Sequence, residues 1–129
     1  MRDIACGRQR ESIINDKVKV PSPFVLWEGD YQVPPETEVL INATSIGLGD
    51  ANARVPLAVE SLEADMVVAD VIFNPPETRL IRDARGRGCQ TLDGLGMLVN
   101  QAVIAFRIWT GQDANAEVMR DALEEFLGI

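Results

Sequence analysis

Between Asp93 and Gly111 the chain reads Asp-Gly-Leu-Gly-Met-Leu-Val-Asn-Gln and then runs on, almost wholly apolar, to Trp109-Thr110-Gly111. These residue types allow two kinds of chemistry. Gly94 and Gly96 leave out the side chains that would block a bound ring. A helix that starts there presents its free N–H groups and the positive end of its dipole to a polar ligand. Gln101 supplies the second. At about 100° per residue, Met97, Gln101, Ile104, Ala105 and Ile108 share one helix face, which sets a single amide within an apolar stripe. An amide buried there without a partner costs about 2–3 kcal/mol. A ligand hydroxyl would satisfy it, and so would nearby backbone; Gly-x-Gly ahead of a helix also reads as a plain turn.

Two further segments hold candidate groups. In Ile41-Asn42-Ala43-Thr44-Ser45-Ile46-Gly47 the Thr44 hydroxyl is available to a ligand or to its own loop backbone. In Ala69-Asp70-Val71-Ile72-Phe73-Asn74-Pro75, Val71 and Phe73 offer apolar surface either to a ligand or to the core. Histidine is absent, which excludes His-based triads, zinc sites and proton shuttles built from this chain. The lysines are Lys17 and Lys19 alone. Cys6 and Cys89 make no metal-ligand spacing and are too few for a disulfide framework, so no metal is expected and a reducing, cytoplasmic location is.

A net charge of −8 argues against a nucleic-acid partner, because no broad basic face neutralises phosphates. Arg79, Arg82, Arg85 and Arg87 fall on one predicted helix and read as its solvated face. No apolar run has the length of a signal peptide or a membrane span, so no membrane association is expected.

The elements that must position these groups alternate in type. A helix is predicted over 3–17, a strand over Phe24–Trp27 and a turn-rich stretch over Gly29–Pro35. Continuous apolar runs at Glu38–Ala43 and Met66–Phe73, the second broken only by Asp70, suit strands buried on both faces. Thr44–Pro56 reads as a polar loop, Val59–Leu62 as a short helix, and Thr78 as the cap of a helix ending near Arg87. Cys89–Leu92 makes a last strand, followed by helices over Gly94–Thr110 and Asn115–Leu127. Strands alternating with helices predict an α/β unit with a parallel sheet. The loops after the three apolar strands, at 42–45, 70–74 and 93–96, then fall on the carboxyl edge of that sheet, where ligands of open α/β sheets bind.

Asp93-Gly94-Leu95-Gly96-Met97-Leu98, then Gln101, Phe106 and Trp109-Thr110-Gly111, resembles the C-terminal signature of the shikimate dehydrogenase family. The Ile41–Gly47 and Ala69–Pro75 segments, with Thr78, resemble its strand-end motifs, and the likeness extends over nearly all of Pro21–Gly128. It implies a partial Rossmann-type doubly wound sheet, equivalent to strands 3 to 6, with C-terminal helices. It implies NADP as cofactor, with NAD as the alternative, and shikimate or 3-dehydroshikimate as the small-molecule substrate. By the same resemblance Thr44, Val71, Gly94 and Met97 contact the nicotinamide side of the cofactor. Phe73, often Tyr in the family, borders the substrate and Gln101 bonds one of its hydroxyls. Met1-Arg2-Asp3 is similar to the end of a motif whose arginine pairs with the 2′-phosphate of NADP, which makes Arg2 a candidate.

The resemblance further implies that residues 1–129 are a truncated NADP-binding domain. The family's catalytic Lys and Asp lie in an N-terminal substrate domain that this chain lacks, as it lacks the glycine-rich phosphate loop. No catalytic residue is therefore expected here, and the chain alone is expected to be inactive. With strands 1 and 2 absent, the sheet is expected to have a gap between Phe24–Trp27 and Glu38–Ala43, with unpaired edges and poor solubility unless an N-terminal segment complements it. Two alternatives stay open: a non-catalytic remnant or binding module that folds against a separate chain, and a quinate or shikimate dehydrogenase using NAD.

Overall fold

The computed structural model of the chain describes residues 14–19, 21–26 and 28–129. They belong to two compact units, one reaching to Tyr31 and the other spanning Gln32–Ile129. In the first, the described end of the predicted 3–17 helix is a five-residue π-helix, Ile14–Val18. Residues 21–26 carry no regular secondary structure, so the strand expected at Phe24–Trp27 does not form over its described part. Pro21 and Pro23 lack the N–H groups that a ladder needs there.

The second unit contains a three-stranded parallel sheet in the order β1-β2-β3, formed by β1 (Val39–Asn42), β2 (Val67–Asp70) and β3 (Gln90–Leu92). Leu40 pairs with Val68 and Val68 with Thr91, so the three strands are neighbours in sequence order, and the gap expected between Phe24–Trp27 and Glu38–Ala43 lies outside these pairings. The second strand is shorter than the apolar run Met66–Phe73 suggested. It stops at Asp70 because the Asp70 carboxyl group takes the Ile72 N–H, which turns the chain out of the ladder.

The crossover from β2 to β3 contains helix α1 (Arg79–Gly86). Thr78 caps it by accepting a hydrogen bond from Ile81 N, and Leu80, Ile81 and Ala84 are its buried residues, packed toward β2 and β3. The helix closes in a Schellman arrangement: Cys89 N donates to Ala84 O and Gly88 N to Arg85 O. Gly88, at φ +86°, takes the left-handed conformation that this motif demands. Leu62, Met66 and Val68 are fully buried and form the centre of the core.

The two sheet faces differ, against the expectation of burial on both. Val68, Asn42 and Asp70 lie on the covered face, whereas Val39, Ile41 and Leu92 on the other are 54%, 60% and 61% exposed. The continuous apolar run cannot reveal this, because period-2 alternation disappears when both faces are apolar.

Helices α2 (Gly94–Thr110) and α3 (Ala116–Leu127) pack against each other and complete the unit. Asp93 caps α2 by accepting from Gly96 N, and Asn115 caps α3 by accepting from Glu117 N and Val118 N. Only Gly94, Leu95 and Val99 of α2 are buried. Among the described residues no helix is long and apolar enough to cross a membrane, and no group of three or more His, Cys, Asp or Glu is placed to hold a metal.

Candidate functional site

Parallel strands send the chain out on one edge, so Asn42, Asp70 and Leu92 deliver their following loops to the same place. A buried polar network ties those loops together. Asp70 Oδ1 accepts from Asn42 Nδ2 and from Ile72 N, both at 3.0 Å, and its Oδ2 accepts from Thr78 Oγ1 at 2.7 Å. Asn42 Oδ1 accepts in turn from the Thr44 hydroxyl at 2.7 Å and from Thr44 N at 3.2 Å. The Thr44 hydroxyl takes Ile46 N at 3.2 Å. Asn42, Asp70 and Thr78 are all buried, yet every one of them is bonded, as low-dielectric surroundings require.

Beside this network a cleft of about 520 Å³ opens at the ends of the strands, within the usual range for a small-molecule site. Ile41, Val71, Leu92, Gly96 and Met97 give it apolar walls, while Asp70, Asn100 and Arg120 add polar groups. Arg120 reaches over from α3: its Nε is 3.0 Å from Glu124 Oε1 and its Nη2 is 3.9 Å from Asp93 Oδ2. The guanidinium therefore sits beside the residue that caps α2, half exposed at the cleft.

The two glycines have different reasons for being glycine. A Cβ on Gly94 would stand 2.4 Å from Ile72 O and 2.6 Å from Val71 O, so its missing side chain makes room for backbone, not for a bound ring. This corrects the reading of Gly94 as a clearing for a ligand. A Cβ on Gly96 would meet only Asp93 Oδ1, at 3.7 Å, and Gly96 lines the cleft. The open cradle belongs to Gly96.

Of the residues singled out from sequence, Val71 and Met97 line the cleft together. Gly94 is buried beneath it. Thr44 is exposed in the β1 loop, with its hydroxyl proton given to Asn42. Phe73 is half-buried and does not line the cleft. Arg2 lies outside the described residues. Gln101 is exposed, as are Met97, Ile104 and Ile108 of the same face, so the expected buried stripe with an unpaired amide is not present. Its amide faces solvent beside an apolar groove between α2 and α3, lined also by Leu98, Phe106, Trp109, Leu123 and Phe126. Helical periodicity orders residues around an axis but does not say which face is covered, and here the heart of α2 is covered elsewhere.

Sequence reasoning passed over Asn100 and Arg120. Asn100 lies three residues after Met97, the spacing that puts two side chains on one helix side. Arg120 is the one basic residue within Ala116–Leu127, where acidic side chains otherwise crowd, and that isolation was a readable signal. Asp70, noted as a break in an apolar strand, is the hub of the network.

Comparison with known proteins agrees with the geometry. Residues 94–124 match the shikimate 5'-dehydrogenase C-terminal domain. The chain is 41% identical over 91 residues to the shikimate dehydrogenase (NADP(+)) of Bacillus subtilis (strain 168), a match covering 70% of this chain and 32% of that protein. Among solved structures, the ligand-free 5-ketofructose reductase of Gluconobacter sp. strain CHM43 superposes with a TM-score of 0.92 at 49% identity, over 97% of this chain and 45% of that one. Quinate dehydrogenase from Corynebacterium glutamicum, solved in complex with NAD, gives a TM-score of 0.76 at 34% identity, over 98% of this chain and 44% of that one. The chain thus spans about a third of the Bacillus relative's length.

Proposed function

Because the chain carries the C-terminal portion of the shikimate dehydrogenase family, we propose that its strand-end cleft is the nicotinamide edge of an NADP-dependent oxidoreductase reducing 3-dehydroshikimate to shikimate. The observation that carries this reading is the meeting of Val71, Gly96 and Met97 in one cleft at the carboxyl ends of parallel strands. These residues fit a nicotinamide: a flat ring needs apolar walls on its faces and room at backbone level. Val71 and Met97 supply the walls, and the absent side chain of Gly96 supplies the room.

The cofactor, when bound, supplies the hydride. The chain's own residues bind and orient. The Thr44 hydroxyl has given its proton to Asn42 and keeps a lone pair free to accept from a carboxamide N–H. Gly94 acts through the backbone packed on it, which sets where α2 begins. Gln101 stands one turn beyond Met97, and its solvated amide can bond a substrate hydroxyl without leaving a buried group unpaired. Phe73, half-buried in the loop after β2, borders the substrate by the same family resemblance. By the family resemblance the proton donor is a lysine paired with an aspartate, and it comes from outside Gln32–Ile129, which holds no lysine. On that account the unit alone binds cofactor and does not turn over.

A second reading concerns substrate. The likeness to the 5-ketofructose reductase is greater in identity and in TM-score than that to the quinate dehydrogenase. Phe73 stands where the family often has Tyr, which removes one hydroxyl contact and suits a different polyhydroxylated ketone. The test is NADPH oxidation by the polypeptide that carries this chain, with 3-dehydroshikimate and 5-ketofructose as rival substrates and NADH as rival cofactor. Turnover of 3-dehydroshikimate at much the higher kcat/KM supports the first reading. Preference for 5-ketofructose moves the assignment to the second, and oxidation with neither ketone overturns both.

A further inference from the structure

The residues that line the cleft do not hold themselves in place. Val71 has left the strand, and the peptide that follows it is pinned by the Ile72 N–H bond to Asp70 Oδ1 at 3.0 Å. The Ile72 carbonyl then stands where Gly94 begins α2, close enough that a single added carbon would meet it at 2.4 Å. The second oxygen of Asp70 takes the Thr78 hydroxyl, which itself caps α1. Through Asn42 the same carboxyl group reaches the Thr44 loop.

We propose that Asp70 is the positioning residue of this site: one buried carboxyl group sets the Thr44 loop, the Val71–Ile72 backbone and the start of α1 in a single geometry, and so fixes the surface that receives the nicotinamide ring. Asp70 serves this role through other groups. The inference rests on the cofactor reading above. Its logic is stereochemical: a carboxyl group offers acceptor sites in several directions, and three different segments donate to it here. An amide in its place presents N–H groups on one side, where the Thr78 or Asn42 donor now points. Facing Asn42 Nδ2, the amide sets donor against donor and that segment must turn away; facing Thr78, it is tolerated only if the hydroxyl turns to accept, which takes the hydroxyl proton from its present acceptor. A shift of about 1 Å at a binding surface is enough to lose one to two orders of magnitude in affinity or rate.

The test compares Asp70→Asn and Thr78→Val with Met66→Ala, which empties the core at the amino end of β2 and touches no loop of the site. NADP+ titration at a temperature where each variant is folded is the first readout, and backbone amide resonances of Thr44, Ile72 and Gly96 are the second. Asp70→Asn is expected to raise the dissociation constant about tenfold and Thr78→Val by less, with Met66→Ala within about twofold of the parent and the three resonances moved in both site variants. Asp70→Asn binding within about twofold of the parent, or Met66→Ala losing as much as Asp70→Asn, overturns the proposal. Should Asp70→Asn fail to fold, Thr78→Val alone decides by the same two readouts. If the parent chain binds neither NADP+ nor NAD+, the cofactor reading fails, and the positioning role is then judged on the resonances alone: unmoved Thr44, Ile72 and Gly96 amides overturn it.

Discussion

The sheet edge and the helical pair of this molecule were built by opposite means. At the edge, Asn42, Asp70 and Thr78 are buried polar residues whose hydrogen bonds are all made, and the loops they hold have little freedom left. In the pair α2 and α3, large apolar side chains stand in the open: Ile108 is 74%, Trp109 81% and Phe126 85% exposed. Stability at the edge is directional and local, and a single atom out of place is felt. The helical pair is held by non-directional burial along a limited seam, and most of its apolar surface contributes nothing inside this unit. The strand-end cleft is here over-determined in its backbone, while the neighbouring helical face is left uncommitted.

The largest effect that would break or sharpen this contrast lies at Gly94. An alanine Cβ there would meet backbone, not a flexible side chain, at 2.4 Å from Ile72 O, so α2 or the Val71–Ile72 loop must move. Gly94→Ala is expected to cost at least about 3 kcal/mol in chemical denaturation, the upper end for overpacking. A loss below 1 kcal/mol on the order of a surface change would mean the edge yields easily and the contrast is false. Next comes Asn42→Ala, which strips one donor from Asp70 and leaves the Thr44 hydroxyl and amide without their acceptor. About 2 kcal/mol is expected for these buried groups.

Much of this was legible in the sequence, and the rest failed for identifiable reasons. The Thr78 cap and the end of its helix near Arg87 were readable because capping depends on a few adjacent residues, whereas Asp93 and Asn115, which cap by the same means, were read only as element ends. The grouping of Val71 with Met97 followed from parallel strands and their common edge. What sequence could not say is which side of an element is covered. Gln101 in its apolar stripe and Val39 with Ile41 in a continuous run both looked buried, and both are exposed. Burial depends on partners far away in the chain. Gly94 and Gly96 look alike in sequence; only the return of the β2 loop separates the glycine that admits backbone from the one that opens the cleft.

Gly96→Ala is the complement of Gly94→Ala. Its Cβ would lie at ordinary contact distance from Asp93 Oδ1 alone, within a helix, where alanine is favoured over glycine by roughly 0.5–1 kcal/mol. A higher melting temperature together with weaker NADP+ binding is expected, and unchanged affinity would remove Gly96 from the cofactor surface. At the opposite end of the strands Cys89 precedes β3, and its thiol, which donates to Glu63 O, is pushed above its ordinary 9.0, chiefly by burial, despite a lowering contribution from its backbone hydrogen bond and Arg87. A folded-state value above the unfolded one means the folded chain keeps its proton longer. Its contribution is full below pH 9.0 and is lost as pH rises through the folded value, so stability should fall above pH 9.0. Cys89→Ala should flatten that alkaline decline in a pH series of denaturation curves.

The smallest effect is the sharpest test of the open helical face. Ile108 is 74% exposed in the last turns of α2, so replacing it removes almost no buried area. A lysine there has good helix propensity, and its charge lies near the negative end of the helix dipole. Ile108→Lys is therefore expected to change stability by no more than about 0.5 kcal/mol and to leave cofactor affinity untouched, as read by denaturation and NADP+ titration on one preparation. The same substitution at a covered site would bury an unpaired ammonium and lose several times as much. A fall of about 2 kcal/mol or more would thus mean that this face is packed in solution, and the division between a committed edge and an uncommitted helical surface would have to be abandoned.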